Sequence, residues 1–339
     1  MAKWLYEAGI GEARAALVEG GVIVEARVAR EGGLRAGSVR RARLARITAP
    51  GRRGLATFDD GEAVLEPLPP GVAEGGRLLI QIVREAIPEA GRPKPARARA
   101  AAEGAEIGDG PDLAAQLAAG DIPFRAVATG MAGHGPDLLE AAGWSELIEE
   151  ATGGAIDFAG GALRLSVTPA MTLFDIDGVL PPAALALAGA QAAARAIQRM
   201  EIGGSIGIDL PTVSDKAVRQ AVAAAVDAIL PQPYERTAVN GFGFLQIVRR
   251  RVRASLPELL AADPVLTAAL GLLRQAERAA GIGTRTLVAA PAVIARIAER
   301  PDWTEALARR TGTAVALRAD AARAISQGYV QTDHPPPRT

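Results

Sequence analysis

Two apolar segments of this chain each end on aspartate. The first, AMTLFDID, carries Asp175 and Asp177, and a later one, SIGIDL, carries Asp209. A buried strand is a rigid support, and carboxylate oxygens are the ligands that Mg²⁺ prefers in proteins. Metal binding is therefore one chemistry open to these acids. The alternative is that each acid caps the helix that follows its strand.

A second chemistry is suggested by the segment LFDIDGVL, which resembles the nucleophile motif of haloacid-dehalogenase-type phosphatases. In such an enzyme Asp175 would attack phosphorus and Asp177 would act as acid and base. That motif normally opens the core domain of the family, whereas here it lies in the middle of the chain. The later paired-acid motif of those phosphatases is also missing, so this chemistry is kept as an alternative.

Composition excludes several classes of site. The chain has no cysteine, which rules out disulfides, cysteine nucleophiles and thiolate zinc sites, and its two histidines, His134 and His334, are too few for a histidine-built metal centre. Lys+Arg and Asp+Glu balance at 38 each, so any site for a polyanion must come from local clustering. No apolar stretch reaches the ~18 residues of a membrane span. We expect a cytoplasmic protein without a membrane partner.

Five regions follow from the spacing of apolar and turn residues. Residues 1–36 are predicted to form hairpin strands that pack on the catalytic region, and residues 37–100 to form a small β-barrel, with the OB type as the leading candidate. We expect a linker with a short helical segment over 101–160, an α/β catalytic core over 161–260, and a smaller α/β extension over 261–330. The predicted fold class is mixed α/β.

Within the predicted core, strands alternate with helices. A long alanine-rich helix follows Pro181 and Pro182, and a second helix follows the strand that ends at Asp209. The sequence then predicts a strand over RTAVNG (236–241) and a helix over FLQIVRRRVRASL (244–256). On such a helix Arg250 and Arg253 would lie one turn apart.

The order of the motifs along the chain resembles the ribonuclease E/G family of endoribonucleases. GSVRRARLARITAPGRRGLATFDDGEAVLEPLP is similar to its RNA-binding OB-fold, and GGALRLSVTPAMTLFDIDG to its glycine-led hairpin and acidic strand. MEIGGSIGIDL and NGFGFLQIVRRRVRASL resemble its second acidic strand and the helix that follows, and these are the most specific matches. The resemblance implies an OB-like barrel beside a ribonuclease H-like/DNase I-like mixed α/β catalytic region.

By this resemblance Asp175 and Asp209 hold a catalytic Mg²⁺, and Asp177 stands where the family usually has asparagine and is a further candidate metal ligand. No zinc is expected. The implied activity is Mg²⁺-dependent hydrolysis of phosphodiester bonds in single-stranded RNA, in RNA processing or decay.

Candidate RNA contacts come from basic and aromatic residues. In the barrel Phe58 could stack on a base or pack in the core, and the arginines of the same module could follow phosphates or form a solvated edge. The residues selected as RNA-binding candidates are Phe58, Arg40, Arg43, Arg92, Arg250 and Arg253.

Three departures from the family pattern keep a second hypothesis open. Asp177 replaces the usual asparagine, Gly241 stands where the family has an arginine, and the pocket that senses an RNA 5′ monophosphate is not recognisable. The cysteine pair that bridges family dimers through zinc is also missing. A homodimer, if formed, would therefore not be bridged by zinc. The alternative to the nuclease is an RNA-binding protein of the same family whose catalysis is weak or lost.

Overall fold

The computed structural model describes residues 1–89, 93–127 and 136–334. The chain divides into two compact units. The first unit comprises Met1–Glu31, Gly120–Glu146 and Asp263–Thr339, and the second comprises Gly32–Ala119 and Leu147–Ala262. The N-terminal strands thus share a unit with the C-terminal segment. This grouping differs from the expectation that residues 1–36 pack on the region 161–260. Ion pairs join the strands to the C-terminal segment, where Arg278 pairs with Glu7 and Arg274 with Glu12.

Three strands open the chain. They are β1 (Lys3–Ala8), β2 (Glu12–Glu19) and β3 (Val22–Arg30). β2 and β3 form the predicted antiparallel hairpin, whose turn is made by Gly20 and Gly21, both at positive φ. Glycine adopts this backbone conformation without strain, which is why the pair can close a tight hairpin.

A closed barrel of five strands follows. Its strands are β4 (Val39–Ala49), β5 (Arg53–Phe58), β6 (Gly61–Leu65), β7 (Arg77–Arg84) and β8 (Ala96–Ala100). They pair in the order β4-β5-β6-β8-β7, and β6 and β8 are parallel. Leu44, Leu65 and Ile80 fill the interior together with several alanines. This architecture is compatible with the predicted OB-like module.

Short elements connect the barrel to the next sheet. They are α1 (Leu113–Ala118), β9 (Phe124–Ala126), a 3₁₀ turn (Glu140–Ala142) and α2 (Trp144–Gly153). β9 pairs in parallel with β1 and completes a sheet of order β3-β2-β1-β9. The Asp112 side chain caps α1 by accepting a hydrogen bond from the Ala115 N–H. His134 lies outside the described residues.

The second unit continues with a six-stranded sheet and its helices. In chain order these are β10 (Ala155–Phe158), β11 (Gly161–Val167), β12 (Thr172–Gly178), α3 (Pro182–Arg199), β13 (Gly204–Asp209), α4 (Lys216–Ile229), β14 (Tyr234–Arg236) and β15 (Phe244–Arg249). The sheet order is β10-β11-β12-β13-β15-β14, and only β12 and β13 run parallel. Phe174, Ile176, Ile206 and Ile208 are buried on one face. α3 packs against β11 and β12 and also against α4. The chain is therefore mixed α/β, as predicted.

The predicted helix over 244–256 is wrong. Residues 244–249 form the strand β15, in which Leu245 and Ile247 are buried and their neighbours are more exposed. This period of two is that of a strand with one covered face. Arg250 and Arg253 lie in the irregular segment that follows, so they are not one helical turn apart. The predicted strand over 236–241 is shifted, since β14 ends at Arg236.

Helices and a small sheet complete the chain. The elements are α5 (Leu256–Ala262), α6 (Pro264–Arg278), β16 (Ile282–Ala289), α7 (Pro291–Ala298), α8 (Pro301–Thr311), β17 (Val315–Ala319) and β18 (Tyr329–His334). The three strands pair in the order β17-β16-β18. Leu270, Leu273, Leu287 and Trp303 form the centre of the core beside this sheet.

A helix that crosses a bilayer must contain about 20 predominantly apolar residues. Among the described residues, no single helix is both long enough and apolar enough to cross a membrane. The consecutive helices α5 and α6 reach these values only when taken together, and the chain bends sharply between them.

Candidate functional site

The two faces of the six-stranded sheet carry different side chains. On the face covered by α3, residues such as Phe174 and Ile208 are fully buried. The opposite face carries exposed charged side chains, because successive residues of a strand point to opposite sides. Asp175, Asp177 and Asp209 are all exposed there. We call this surface the open face.

Asp175 and Asp209 lie directly opposite each other on the open face. Their Cα atoms are register partners on the parallel pair β12 and β13. Neighbouring strands are about 4.8 Å apart, and residues in register project from the same side of the sheet. Neither carboxylate has an ion pair with any other described residue. The two acids therefore form an exposed pair that is free to bind a cation.

Asp177 is on the same face, two residues beyond Asp175, but its register partner is Ala162 rather than an acid. The nearest cation is Arg164, whose Nε lies 3.9 Å from the Asp177 Oδ2. Both side chains are about three-quarters exposed, at 75% and 73%. An ion pair this exposed contributes little to stability. Arg164 is itself the register partner of Asp175, which gives the open face one cation beside its acids.

Two apolar side chains, Phe244 and Leu173, lie beside the acid pair. Gly207 is two residues before Asp209, and a Cβ built there would be 2.6 Å from the Phe244 Cζ and 2.8 Å from the Leu173 Cδ2. The side chains of Phe244 and Leu173 thus lie over the glycine backbone. Phe244 is also the register partner of Asp209, so an aromatic ring stands next to that carboxylate.

An exposed aromatic residue occupies the turn that precedes β15. The Asn240 Oδ1 accepts hydrogen bonds from the N–H groups of Phe242 at 2.9 Å and Phe244 at 3.0 Å. The Leu210 N–H donates to the Gly243 carbonyl at 3.1 Å, which ties this turn to the residue after Asp209. Phe242 is 85% exposed. The ring is therefore accessible to a ligand.

The acid pair offers two carboxylates to a metal ion. In the part of the chain that the structure describes, no three side chains of Asp, Glu, His or Cys come close enough to hold an ion together. Mg²⁺ is commonly held by one or two carboxylates, with water and substrate phosphate as the other ligands. The pair Asp175 and Asp209 fits that requirement. Asp177 is not grouped with them as a third ligand.

Arg40 is already engaged within the barrel unit. Its guanidinium donates to Asp109 at 2.5 Å, to Asp60 at 3.2 Å and to the Gly108 carbonyl at 2.9 Å. The hydrogen bond to Asp109 raises the pKa of Arg40 above its ordinary value. Only 16% of the side chain is exposed. Arg40 therefore acts first as a structural link between β4 and two acidic loops, and a role in phosphate binding has no support from its contacts.

Arg43, unlike Arg40, is available to a ligand. It is exposed on β4, lies directly opposite the exposed Arg77 of β7, and has no ion pair with a described residue. Like charges opposite each other on antiparallel strands are destabilising.

Phe58, at the end of β5, is half-buried and packs against the barrel core. Arg92 lies outside the described residues.

The structure separates Arg250 and Arg253. Arg253 is half-buried, with its Nη2 donating to the Gln116 Oε1 at 2.6 Å and its Nε 3.4 Å from the Glu201 Oε1. Arg250 is exposed and lines a cleft at the opposite ends of β12 and β13 from the acids. Neither arginine is brought to the acid pair.

Sequence reasoning missed three residues of the open face. Arg164, Phe242 and Phe244 lie beside the acids, but the first is on β11 and the others are in or before β15. The alternation in GALRLSV places Arg164 on the polar side of its strand. Which acids it would meet depends on strand order, and no local pattern encodes that.

A comparison with models of protein families found no match to the chain. A search of curated proteins also found no match. The resemblance to ribonuclease E/G therefore remains a prediction from the motifs.

Proposed function

We propose that this protein is a Mg²⁺-dependent endoribonuclease that hydrolyses phosphodiester bonds of single-stranded RNA. The observation that carries the proposal is the in-register pair of Asp175 and Asp209, exposed on adjacent parallel strands. In this proposal the six-stranded sheet is a ribonuclease H-like/DNase I-like catalytic region. The five-stranded barrel is an OB-like RNA-binding module.

Asp175 and Asp209 would hold the ion. When bound between two carboxylates, Mg²⁺ activates a water molecule and neutralises charge that develops on a phosphate. The side chain of Arg164 projects from the strand next to Asp175 and offers a cation to the negatively charged RNA backbone. It also offsets part of the negative charge that the three aspartates concentrate on the open face.

Two rings would hold the bases. Phe244 lies beside Asp209 over Gly207, and Phe242 extends into solvent from the adjoining turn. Stacking on aromatic side chains is independent of base identity and binds only unpaired bases. This favours single-stranded over double-stranded substrate. On the barrel, Arg43 and Arg77, which have no ion pair among the described residues, supply a surface for backbone phosphates.

The test is cleavage of a single-stranded RNA by the purified protein, with Mg²⁺ and after its removal by a chelator. We expect Asp175→Asn and Asp209→Asn each to reduce the cleavage rate by at least about 100-fold, because one of two metal ligands loses its charge. Asp157→Asn is the matched control, since Asp157 is an exposed acid on the edge strand β10 of the same sheet. Equal loss in all three variants would contradict the proposal, and so would cleavage that survives chelation.

A second candidate is an RNA-binding protein of the same type with weak or lost catalysis. It is favoured by Asp177, which adds a negative charge beside the acid pair without joining a three-ligand group among the described residues. Gly241 favours it too, since no side chain there can contact phosphate. RNA binding without any Mg²⁺-dependent cleavage would support this candidate. Hydrolysis of a small phosphoester that depends on Asp175 but not on Asp209 would instead indicate the dehalogenase-type phosphatase.

A further inference from the structure

A second charged site lies at the other ends of the two central strands. Thr172 at the start of β12 and Gly204 at the start of β13 line a cleft of about 530 Å³. Asp175 is three positions after Thr172 along an extended strand, which corresponds to about 10 Å. Neither Asp175 nor Asp209 lines this cleft, so its chemistry is independent of the proposed nuclease site.

Positive charge is in excess in the walls of the cleft. The cations that line it come from the barrel strands β7 and β8, the segment between them, and the segment after β15. They are Arg84, Lys94, Arg97, Arg250 and Arg251. Three glutamates are also present, so the lining carries five cationic and three anionic side chains.

Each glutamate is already paired with one of these cations. Glu66 pairs with Arg97, Glu89 with Lys94, and Glu258 with Arg251. The hydrogen bond from Arg53, together with that from Arg97, lowers the pKa of Glu66 and keeps it ionised. Arg84 and Arg250 are left without a carboxylate partner in the part of the chain that the structure describes.

Arg84 is held in an unfavourable setting for a cation. Its Nη2 donates to the Pro95 carbonyl at 2.6 Å, but its Nε is buried and has no hydrogen-bond partner among the described residues. Burial lowers the pKa of Arg84, and the positive charges of Arg97 and Arg251 lower it further. The Nε of Arg251 is likewise buried without a partner. Protein groups balance the positive charge of this wall only in part, and a bound anion would balance the rest.

We propose that the cleft binds the phosphate group of a small phosphorylated molecule of about nucleotide size. Two cations without a carboxylate partner match the double negative charge of a phosphate monoester. A cavity of this volume is larger than inorganic phosphate requires and is in the range of small-molecule sites. Val83, Pro169 and Met171 supply apolar surface for the rest of the ligand. None of the described residues that line the cleft is aromatic, so the phosphate rather than a stacked base would dominate recognition.

The experiment is calorimetric titration of the full chain with AMP, inorganic phosphate and adenosine at low ionic strength. We expect AMP and phosphate to bind, AMP with a Kd below about 1 mM, and adenosine not to bind. Arg250→Gln and Arg84→Gln should each weaken AMP binding roughly tenfold, because each removes a charge-assisted hydrogen bond. Glu66→Gln should act in the opposite direction and tighten binding, since it removes one of the three negative charges.

Arg195→Gln is the matched control. Arg195 is an exposed arginine on α3 in the same unit, and it does not line the cleft. Its replacement should change the Kd for AMP by less than about twofold. Arg250 is exposed, so Arg250→Gln is expected to fold normally and decides the question even if Arg84→Gln does not fold. Absence of binding by AMP and phosphate would overturn the proposal, as would binding that Arg250→Gln leaves unchanged. Binding of single-stranded RNA alone, weakened by Arg250→Gln, would also overturn it and assign the cleft to nucleic acid.

Discussion

Glu7 and Arg14 in the first unit are almost completely buried, and two hydrogen bonds join them. Asp175 and Asp209 in the second unit are exposed instead, and neither forms an ion pair within the described part of the chain. Both pairs consist of side chains on adjacent strands of a sheet. In one pair the charges neutralise each other inside the protein. In the other pair two like charges face solvent, a repulsive arrangement that a bound cation would relieve.

The buried pair belongs to a larger network. The Arg278 Nε lies 2.5 Å from the Asp137 Oδ2, and Arg278 also pairs with Glu7. The guanidinium of Arg14 stacks over the Trp144 ring at 4.8 Å from its centroid. Every charge in this group thus has an opposite charge or a ring against it. Such a network indicates a structural role. The in-register carboxylates of Asp175 and Asp209 have no such role in the core and are accessible to a cation.

The largest predicted effect on stability comes from breaking the buried pair. Arg14→Met leaves the fully buried Glu7 with Arg278 as its remaining partner, and we expect the free energy of unfolding to fall by about 3 kcal/mol. Asp209→Asn on the open face should change it by less than about 0.5 kcal/mol. Urea unfolding of the two variants measures both. A cost below about 1 kcal/mol for Arg14→Met would contradict the structural role assigned to the network.

An intermediate effect on stability is expected at Gly207, beside the acid pair of the open face. Gly207→Ala places a Cβ 2.6 Å from the ring of Phe244, so the ring must move, and the free energy of unfolding should fall by about 1–3 kcal/mol. Gly241→Ala is the matched control, since nothing lies within 4 Å of a Cβ at that position. Thermal unfolding compares the two alanine variants. Equal midpoints would mean that Phe244 does not lie over Gly207.

Much of the architecture was predictable from local pattern. Alternation and turn glycines predict the hairpin of β2 and β3, and short strands broken by Gly, Pro and Asp predict the barrel. The predicted helix over 244–256 is wrong because the arginines from Arg249 to Arg253 continue the pattern of β15 beyond the end of the strand. A six-residue strand then has the length and composition of a helical segment. The apolar alternation of Leu245 and Ile247 covers too few residues to decide between the two periods.

The candidate site, like the fold, was predictable from the sequence only in part. Asp175 and Asp209 stand out in the sequence because an acid ends each of two apolar segments. Their alignment across β12 and β13, and the presence of Arg164 and Phe244 beside them, depend on which strands become neighbours. That choice is made by tertiary packing. The charges around the cleft are also far apart in sequence, from Glu66 to Glu258.

The smallest predicted effect concerns Glu277, a buried carboxylate that does not belong to the network of Glu7 and Arg14. Glu277 is 1% exposed; its Oε1 accepts a hydrogen bond from the Arg310 Nη1 at 2.5 Å, and its Oε2 is buried with no partner among the described residues. Burial raises the pKa of Glu277 above the ordinary value of 4.5, although Arg310 opposes the shift.

A raised pKa in the folded state means that the proton on Glu277 stabilises the protein below about pH 4.5, and that this contribution is lost as the pH rises through the folded-state pKa. Glu277→Gln stays neutral at every pH. We therefore expect the free energy of unfolding of Glu277→Gln, relative to the unsubstituted protein, to increase between pH 4.5 and pH 7.5, by on the order of 1 kcal/mol. Urea unfolding across this range is the measurement, with Glu305→Gln, an exposed site on α8, as the control that should show no such trend. A difference that stays constant or falls with pH would show that Arg310 compensates the burial of Glu277 completely.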